Sequence, residues 1–325
     1  LDRSSAASDV YKRQSFKVDR SSIRQGNAVI AIKDVSDAIL WSWHVWVTDE
    51  DINNVIEITN HQNVKYNFMP VNLGQCDGNT ITYEERSCKV KFIAGDQSKE
   101  ITIKQLANVI ATGSNAPFYQ WGRKDPLYPS NGMGNTTKIW YDKEGIPSTA
   151  NPMKGTFSAG NDCIKNCILN PNLMHNRYNG DYTYYNLWSA DNKTTSANDN
   201  PVNKTIYDPC PVGFKLPASN AFTGFTTTGE SVSSSTQVNG TWSSSEKGWY
   251  FYTNSEKTQS IFFPALGYRS YSTMRPGSIG TQGCFWSAHP VAKGNNYYLR
   301  TSSVDVQPTY MVDRGFGYAL RPCQD

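Results

Sequence analysis

The sequence predicts a strand- and loop-rich α+β chain with few short helices and one inserted β-hairpin. Three observations carry that expectation. Short apolar stretches alternate with period two and are bounded by Gly, Pro, Asn and Asp, which is how half-buried strands and their turns read. Aromatic residues reach 13%, with 19 Tyr against 13 Phe, while charged residues make up only 18%. Such a polar, Tyr- and Trp-rich composition suits a β protein with long loops and argues against a helical cytoplasmic enzyme. Asp162–Leu169 reads as helix, two turns stopped by Pro171.

Ala28–Ile32 reads as a short buried strand. Ile39–Val47 alternates, with Trp41, Trp43 and Val45 on one side and Ser42, His44 and Trp46 on the other. Phe68–Gly74 reads as a strand running into a turn. Residues 75–110 read as an insertion, because Ser87–Ile93 and Glu100–Gln105 alternate about a Gly-Asp turn. Tyr119–Pro126 is a strand ending at Asp-Pro, and 127–160 is turn-rich without periodicity. Tyr182–Trp188 is an aromatic cluster, followed by a polar loop at 189–203. The Ser/Thr-rich stretch 226–245 leads directly into Trp242, Trp249, Tyr250 and Phe251, so it reads as a loop and strand rather than a linker. Ile261–Arg269 is the strand before the C-terminal segment.

Residues 4–14 resemble a translated sequencing adapter, so 1–14 are set aside as an adapter-derived tail. On that reading the natural N-terminus is missing, and any signal peptide, anchor or upstream domain would have been lost with it. Residues 15–325 are expected to form one elaborated domain with the insertion near 75–110. The formal charge of +3 has no like-charge block behind it, which gives no electrostatic case for nucleic acid. No apolar run approaches the ~20 residues of a membrane span.

Seven cysteines, at 76, 88, 163, 167, 210, 284 and 323, match no zinc-site spacing. Cys163 and Cys167 read as small buried hydrophobes on one helix face. Cys76 and Cys88 flank an Asp-Gly turn and are disulfide candidates. Of four histidines, none sits in a hydrolase or metal motif; His44 reads as a packed strand residue and His289 as a turn residue able to touch a ligand. No metal or cofactor is expected.

The C-terminal stretch reads Cys284-Phe-Trp-Ser-Ala-His289, Asn295-Asn-Tyr-Tyr-Leu-Arg300 and Asp313-Arg-Gly-Phe-Gly-Tyr-Ala-Leu-Arg-Pro-Cys323. With Trp41–Gly74, Tyr119–Pro126 and the Cys-Pro-x-Gly-x-x-Leu-Pro element at 210–217, it resembles the C-type-lectin-like fibrobacter major paralogous domain of Bacteroidetes surface and fimbrial proteins. The resemblance spans about Trp41–Cys323, outside the insertion. It implies a C-type-lectin-like fold, a short helix at Ala218–Phe222, and a disulfide between Cys210 and Cys323. It assigns Trp121, Trp286, Gly315, Phe316 and Leu320 to the scaffold.

The function implied is that of an extracellular, adhesin-like binding module, not an enzyme, at the outer surface of a Gram-negative bacterium. Its partner would be a host or bacterial surface protein or glycan, or pilus subunits. Members of this fold include targets of diversity-generating retroelements, and the Asn, Tyr, Ser and Asp of the C-terminal stretch have the composition such diversification leaves. The expected ligand residues are Arg269, Tyr271, His289, Asn295, Asn296, Tyr298, Tyr310 and Asp313, a paratope-like mixture of Tyr area and adaptable polar groups. Two alternatives share the resemblance: a formylglycine-generating-type enzyme, which uses a close cysteine pair near the C-terminus, and a structural fimbrial or envelope subunit without a dedicated ligand. Calcium-dependent sugar binding is not expected, since Gln307-Pro-Thr309 has no Trp-Asn-Asp downstream.

Overall fold

The closing segment of the chain is the seam that joins its sheets. In the computed structural model, which describes residues 19–76, 81–110, 116–130, 139–142, 144–152, 154–155, 161–175, 186–191, 194–291 and 294–325, Gly317–Tyr318 pairs on one side with Tyr119–Gln120 and on the other with Tyr268–Arg269. Ala319 then exchanges backbone hydrogen bonds with Cys284 and Trp286. Leu320 and Pro322 accept from Leu73 and Met69, and Cys323 stands opposite Phe68. The alternation of small and large residues in Gly-Tyr-Ala-Leu-Arg-Pro-Cys lets backbones crowd from both sides while Tyr318, Leu320 and Cys323 fill the core.

Two four-stranded sheets meet along this seam. One runs Phe214–Lys215, Cys323–Gln324, Lys65–Phe68, Ile56–Thr59; the other runs Pro276–Gly277, Tyr268–Arg269, Gly317–Tyr318, Tyr119–Gln120. Two antiparallel three-stranded sheets complete the centre: Gly240–Ser243 with Gly248–Tyr252 and Ser260–Pro264, and Gly283–Pro290 with Asn295–Thr301 and Val306–Asp313. Between them lies a phenylalanine core in which Phe225 stacks on Phe251 at 3.9 Å, and Phe263 meets Phe285 and Phe225 edge-on at 5.0 Å. Edge-to-face and offset rings gain beyond the apolar area they bury. The α-helix Asn161–Leu169 and the 3₁₀ segment Ser219–Phe225 fall on the expected helical stretches, the second longer than Ala218–Phe222 and 3₁₀ in form. The strand-rich α+β class therefore holds.

Buried arginines fasten the loops. Arg321, 1% exposed, donates to Asn72 Oδ1 (2.7 Å) and to the carbonyls of Met69 (3.2 Å), Pro70 (2.9 Å) and Phe262 (2.7 Å), with its guanidinium 4.4 Å over the Phe263 ring. A planar fork with five donors satisfies several loop carbonyls at once, which a lysine does not.

The N-terminal hairpin pairs Gly26–Lys33 with Ile39–Val47. Its Ser42, His44 and Trp46 turn toward the rest of the chain: Ser42 donates to Asp125 (2.7 Å), His44 bonds both Asn27 (2.8 Å) and the Tyr119 hydroxyl (2.8 Å), and Trp46 donates to the Gln75 carbonyl (2.9 Å). Trp43 on the other row is exposed. The expected hairpin of the insertion is present as Arg86–Ala94 with Gln97–Gln105, closed by the two residues Gly95 and Asp96. Gly95 takes φ +57°, the left-handed conformation a two-residue hairpin turn requires. Ile81–Tyr83 and Asn108–Ile110 pair with each other at its base.

All seven cysteines are free thiols, so neither expected disulfide is present. Cys323 lies near enough to Cys210 to contribute to raising its thiol, after burial and Asp208, but the two are not bonded. Cys88 is paired across the inserted hairpin with Ile103, whereas the Cys76 thiol donates to the Gly74 carbonyl (3.8 Å), so strand pairing holds them on separate elements. The Asp-Gly turn expected between them, the tail 1–14 and the ring cluster at 182–185 fall outside the described residues.

Candidate ligand-binding surface

An unbroken series of aromatic rings runs from the core to the surface of the C-terminal sheet. Trp286, Tyr298 and Tyr310 stand opposite one another on its three adjacent strands, at 5.7 Å for each successive pair. Tyr318 packs 4.4 Å from Trp286 and 4.6 Å from Tyr298. Phe316 continues from Tyr318 at 5.7 Å, and Tyr268 and Tyr271 meet Phe316 edge-on at 5.4 and 4.8 Å. Period two explains the series, since cross-strand neighbours on one face are the contact unit of a sheet.

Exposure grades along it. Trp286 is 0% exposed, Tyr298 4% and Tyr310 45%, while Tyr268, Tyr271 and Phe316 are half-buried. Met311 beside Tyr310 is exposed. Polar groups rim the rings. The Arg300 guanidinium lies 5.8 Å over Tyr310 and donates to Asp305 (2.9 Å) and Gln307 (3.1 Å). Asn295 stands opposite Asp313, whose carboxylate accepts from the Gly315 N–H (2.7 Å). A Cβ on Gly315 would come within 2.9 Å of the Asp313 carboxylate and 3.1 Å of Tyr271, so the absent side chain lets these two approach.

The eight residues read from sequence divide evenly. Tyr271, Asn295, Tyr310 and Asp313 reach the surface in this region. Arg269, His289, Asn296 and Tyr298 are buried, which corrects their assignment to an exposed face. Arg269 Nε donates to the Tyr128 carbonyl (2.9 Å), and its Nη1 to the Met274 carbonyl; burial pushes its pKa down to about 10. His289 sits inside Gly283–Pro290, not in a turn, with Nδ1 accepting from the Ser219 N–H (3.2 Å). Asn296 donates to the His289 carbonyl (3.2 Å). Tyr298 is the inner rung of the ring series, its hydroxyl pKa raised by burial and by Cys284.

Sequence reasoning missed Tyr268 and placed Phe316 wholly in the scaffold. The signal lay in the phase of the short strand Tyr268–Arg269: once Arg269 points inward, alternation turns Tyr268 the other way.

Burial holds His289 neutral, with its pKa pushed down to about 4 from an ordinary 6.5. Between those values the unfolded chain binds the proton that the folded chain refuses, so stability is full above pH 6.5 and is lost as pH falls toward 4. The gap corresponds to about 3 kcal/mol. Thermal melts at pH 7 and pH 4.5 should show a smaller acid loss in His289→Asn than in the native chain. An identical acid loss would mean the imidazole titrates normally.

No group of three or more His, Cys, Asp or Glu stands ready to hold a metal among the described residues. No helix among them is long and apolar enough to cross a membrane. No family model matches the chain, and no curated protein or solved structure does.

Proposed function

We propose that this chain is an extracellular, adhesin-like binding module of C-type-lectin-like architecture, which holds a protein or glycan non-covalently on the ring surface of its C-terminal sheet. The observation that carries this reading is the exposure gradient from Trp286 through Tyr298 to Tyr310, a surface ring backed by a rigid buried one. Tyr268, Tyr271, Tyr310 and Phe316 supply wide amphipathic area that is already ordered, which keeps the entropic cost of binding low. Asn295, Arg300, Asp305 and Asp313 supply directional hydrogen bonds around it. A bacterial cell-surface or fimbrial setting follows from the sequence resemblance.

The test uses the purified chain against arrayed glycans and immobilised surface proteins. Tyr271→Ala with Tyr310→Ala should weaken the binding found by more than tenfold, since an aromatic hot spot contributes about 2 kcal/mol or more. The circular dichroism spectrum should not change, because neither ring is in the buried core. Undiminished binding by the double variant would sink the ring surface as the site, and a native chain that binds nothing would favour the structural-subunit alternative.

A further inference from the structure

A second site, sharing no lining residue with the ring surface, lies where the α-helix meets Trp121. A pocket there has apolar walls from Trp121, Ile164, Ile168, Leu187 and Tyr207. Cys163 and Cys167 both open into it, with Arg123, Lys124 and Asp125. The two cysteines are one helical turn apart, a spacing that puts side chains on the same face, and each thiol acts on the other's ionisation.

The surroundings of this pair differ from those of the other core thiols. Cys284 and Cys323 sit in apolar cores, and burial pushes both up to about 12. Cys167 is faced by Arg123, His175 and Lys124, and its pKa is drawn down first by the hydrogen bond from Cys163 and then by the Arg123 charge, against the opposing effect of burial. Asp125 is the acidic group of the pocket, and it is tied up in an ion pair with Lys124 (2.7 Å) and a hydrogen bond from Ser42 (2.7 Å). The Arg314 charge also acts on Cys163.

Arg123 supplies an independent sign of a ligand. Only 4% exposed, it uses Nη1 and Nη2 on Gln120 Oε1 (3.0 Å) and on the carbonyls of Asn170 (3.3 Å), Pro171 (3.1 Å) and Leu173, where the chain leaves the helix. A cation there complements the helix C-terminus. Its Nε is buried and has no partner among the described residues. A buried donor left over at a pocket wall is costly unless something in the pocket accepts from it.

We propose that Cys167 is the nucleophile of a thiol-exchange site, and that the pocket takes a small, largely apolar disulfide. The Cys167 thiolate attacks one sulfur; the disulfide's S–S bond breaks, a new S–S bond forms to Cys167, and the departing sulfur leaves with the electron pair as a thiolate. Cys167 is thereby oxidised and the departing half reduced, and excess small thiol reverses the exchange. Cys163 is a positioning residue that donates its S–H to the thiolate. Across a regular helical turn Cβ atoms stand about 5–6 Å apart, whereas a disulfide wants about 3.5–4.5 Å. The helix therefore opposes an internal Cys163–Cys167 bond, and the mixed disulfide persists.

The probe is dithiodipyridine, an uncharged aromatic disulfide whose released thiol is read by absorbance, applied to the folded full chain and followed by peptide mapping. The expected result is a first equivalent on Cys167 reacting about tenfold or more faster than Cys76 or Cys88, with a pH midpoint below the ordinary thiol value of about 8.5. Cys167→Ser should remove the fast phase, and Cys163→Ala should move the midpoint upward. Mapping of the native chain stands even if a variant misfolds. Fast labelling of Cys76 or Cys88 instead, labelling of Cys167 only in denaturant, or an internal Cys163–Cys167 disulfide as product would each overturn the proposal.

Discussion

Replacing Arg321 with methionine should lower the unfolding free energy by about 3–5 kcal/mol, although the new side chain nearly fills the space. The guanidinium satisfies Asn72 and three backbone carbonyls from two separate segments, 69–70 and 262. Methionine offers none of them a donor, and each buried acceptor left unmet costs about 1–3 kcal/mol. Part of that loss is offset because the variant no longer has to bury a charge. Burial pushes the Arg321 pKa down to about 9, which still leaves it charged at neutral pH. Urea unfolding measures the balance: the midpoint should fall with the slope unchanged. A change below about 1 kcal/mol would mean that desolvating the cation costs as much as its hydrogen bonds return.

Trp286→Ala should have a comparable effect for a different reason. The indole is fully buried, donates to the Tyr119 carbonyl (2.8 Å) and backs both Tyr298 and Tyr318. Deleting it leaves a cavity and an unmet carbonyl, about 3–5 kcal/mol together. Tyr310→Ala, at the outer end of the same series, should cost under about 1 kcal/mol, because a half-exposed ring loses little burial. The pair separates support from contact: Trp286 matters to stability, Tyr310 to binding. Equal stability losses at the two positions would show that Tyr310 is a core residue in disguise.

Period two and turn chemistry made much of the fold readable in advance. The inserted hairpin and the helix at 161–169 stand where alternation, Gly-Asp and Pro171 put them, and Ile39–Val47 alternates as read, whereas Ala28–Ile32, read as a buried strand, has Ala28 and Ile32 exposed. What alternation cannot supply is the phase of a strand whose inward residues are polar. Gly283–Pro290 is buried on both faces, so Ser287 and His289 are as enclosed as Trp286, and a polar residue there is no sign of solvent. Arg269 misleads in the same way, because loop carbonyls from 128 and 274 come to it through contacts distant in sequence or across a turn. The cysteines mislead for a related reason. Cys210 and Cys323 do lie near each other, but as separate buried thiols in adjoining apolar clusters.

The ring surface and the thiol pocket are separate features, and their tests fail independently. Loss of Cys167 reactivity would leave the binding surface untouched, since no residue of the pocket belongs to the exposed ring series.

The most direct test of the ring surface is hydroxyl-radical footprinting of the native chain with and without the partner found on the array. Protection of Tyr271 and Tyr310 is expected, with exposed Trp43 and Leu40 on the N-terminal hairpin serving as unprotected controls. Protection of Trp43 and Leu40 with Tyr310 unchanged would contradict it and move the binding surface to the hairpin.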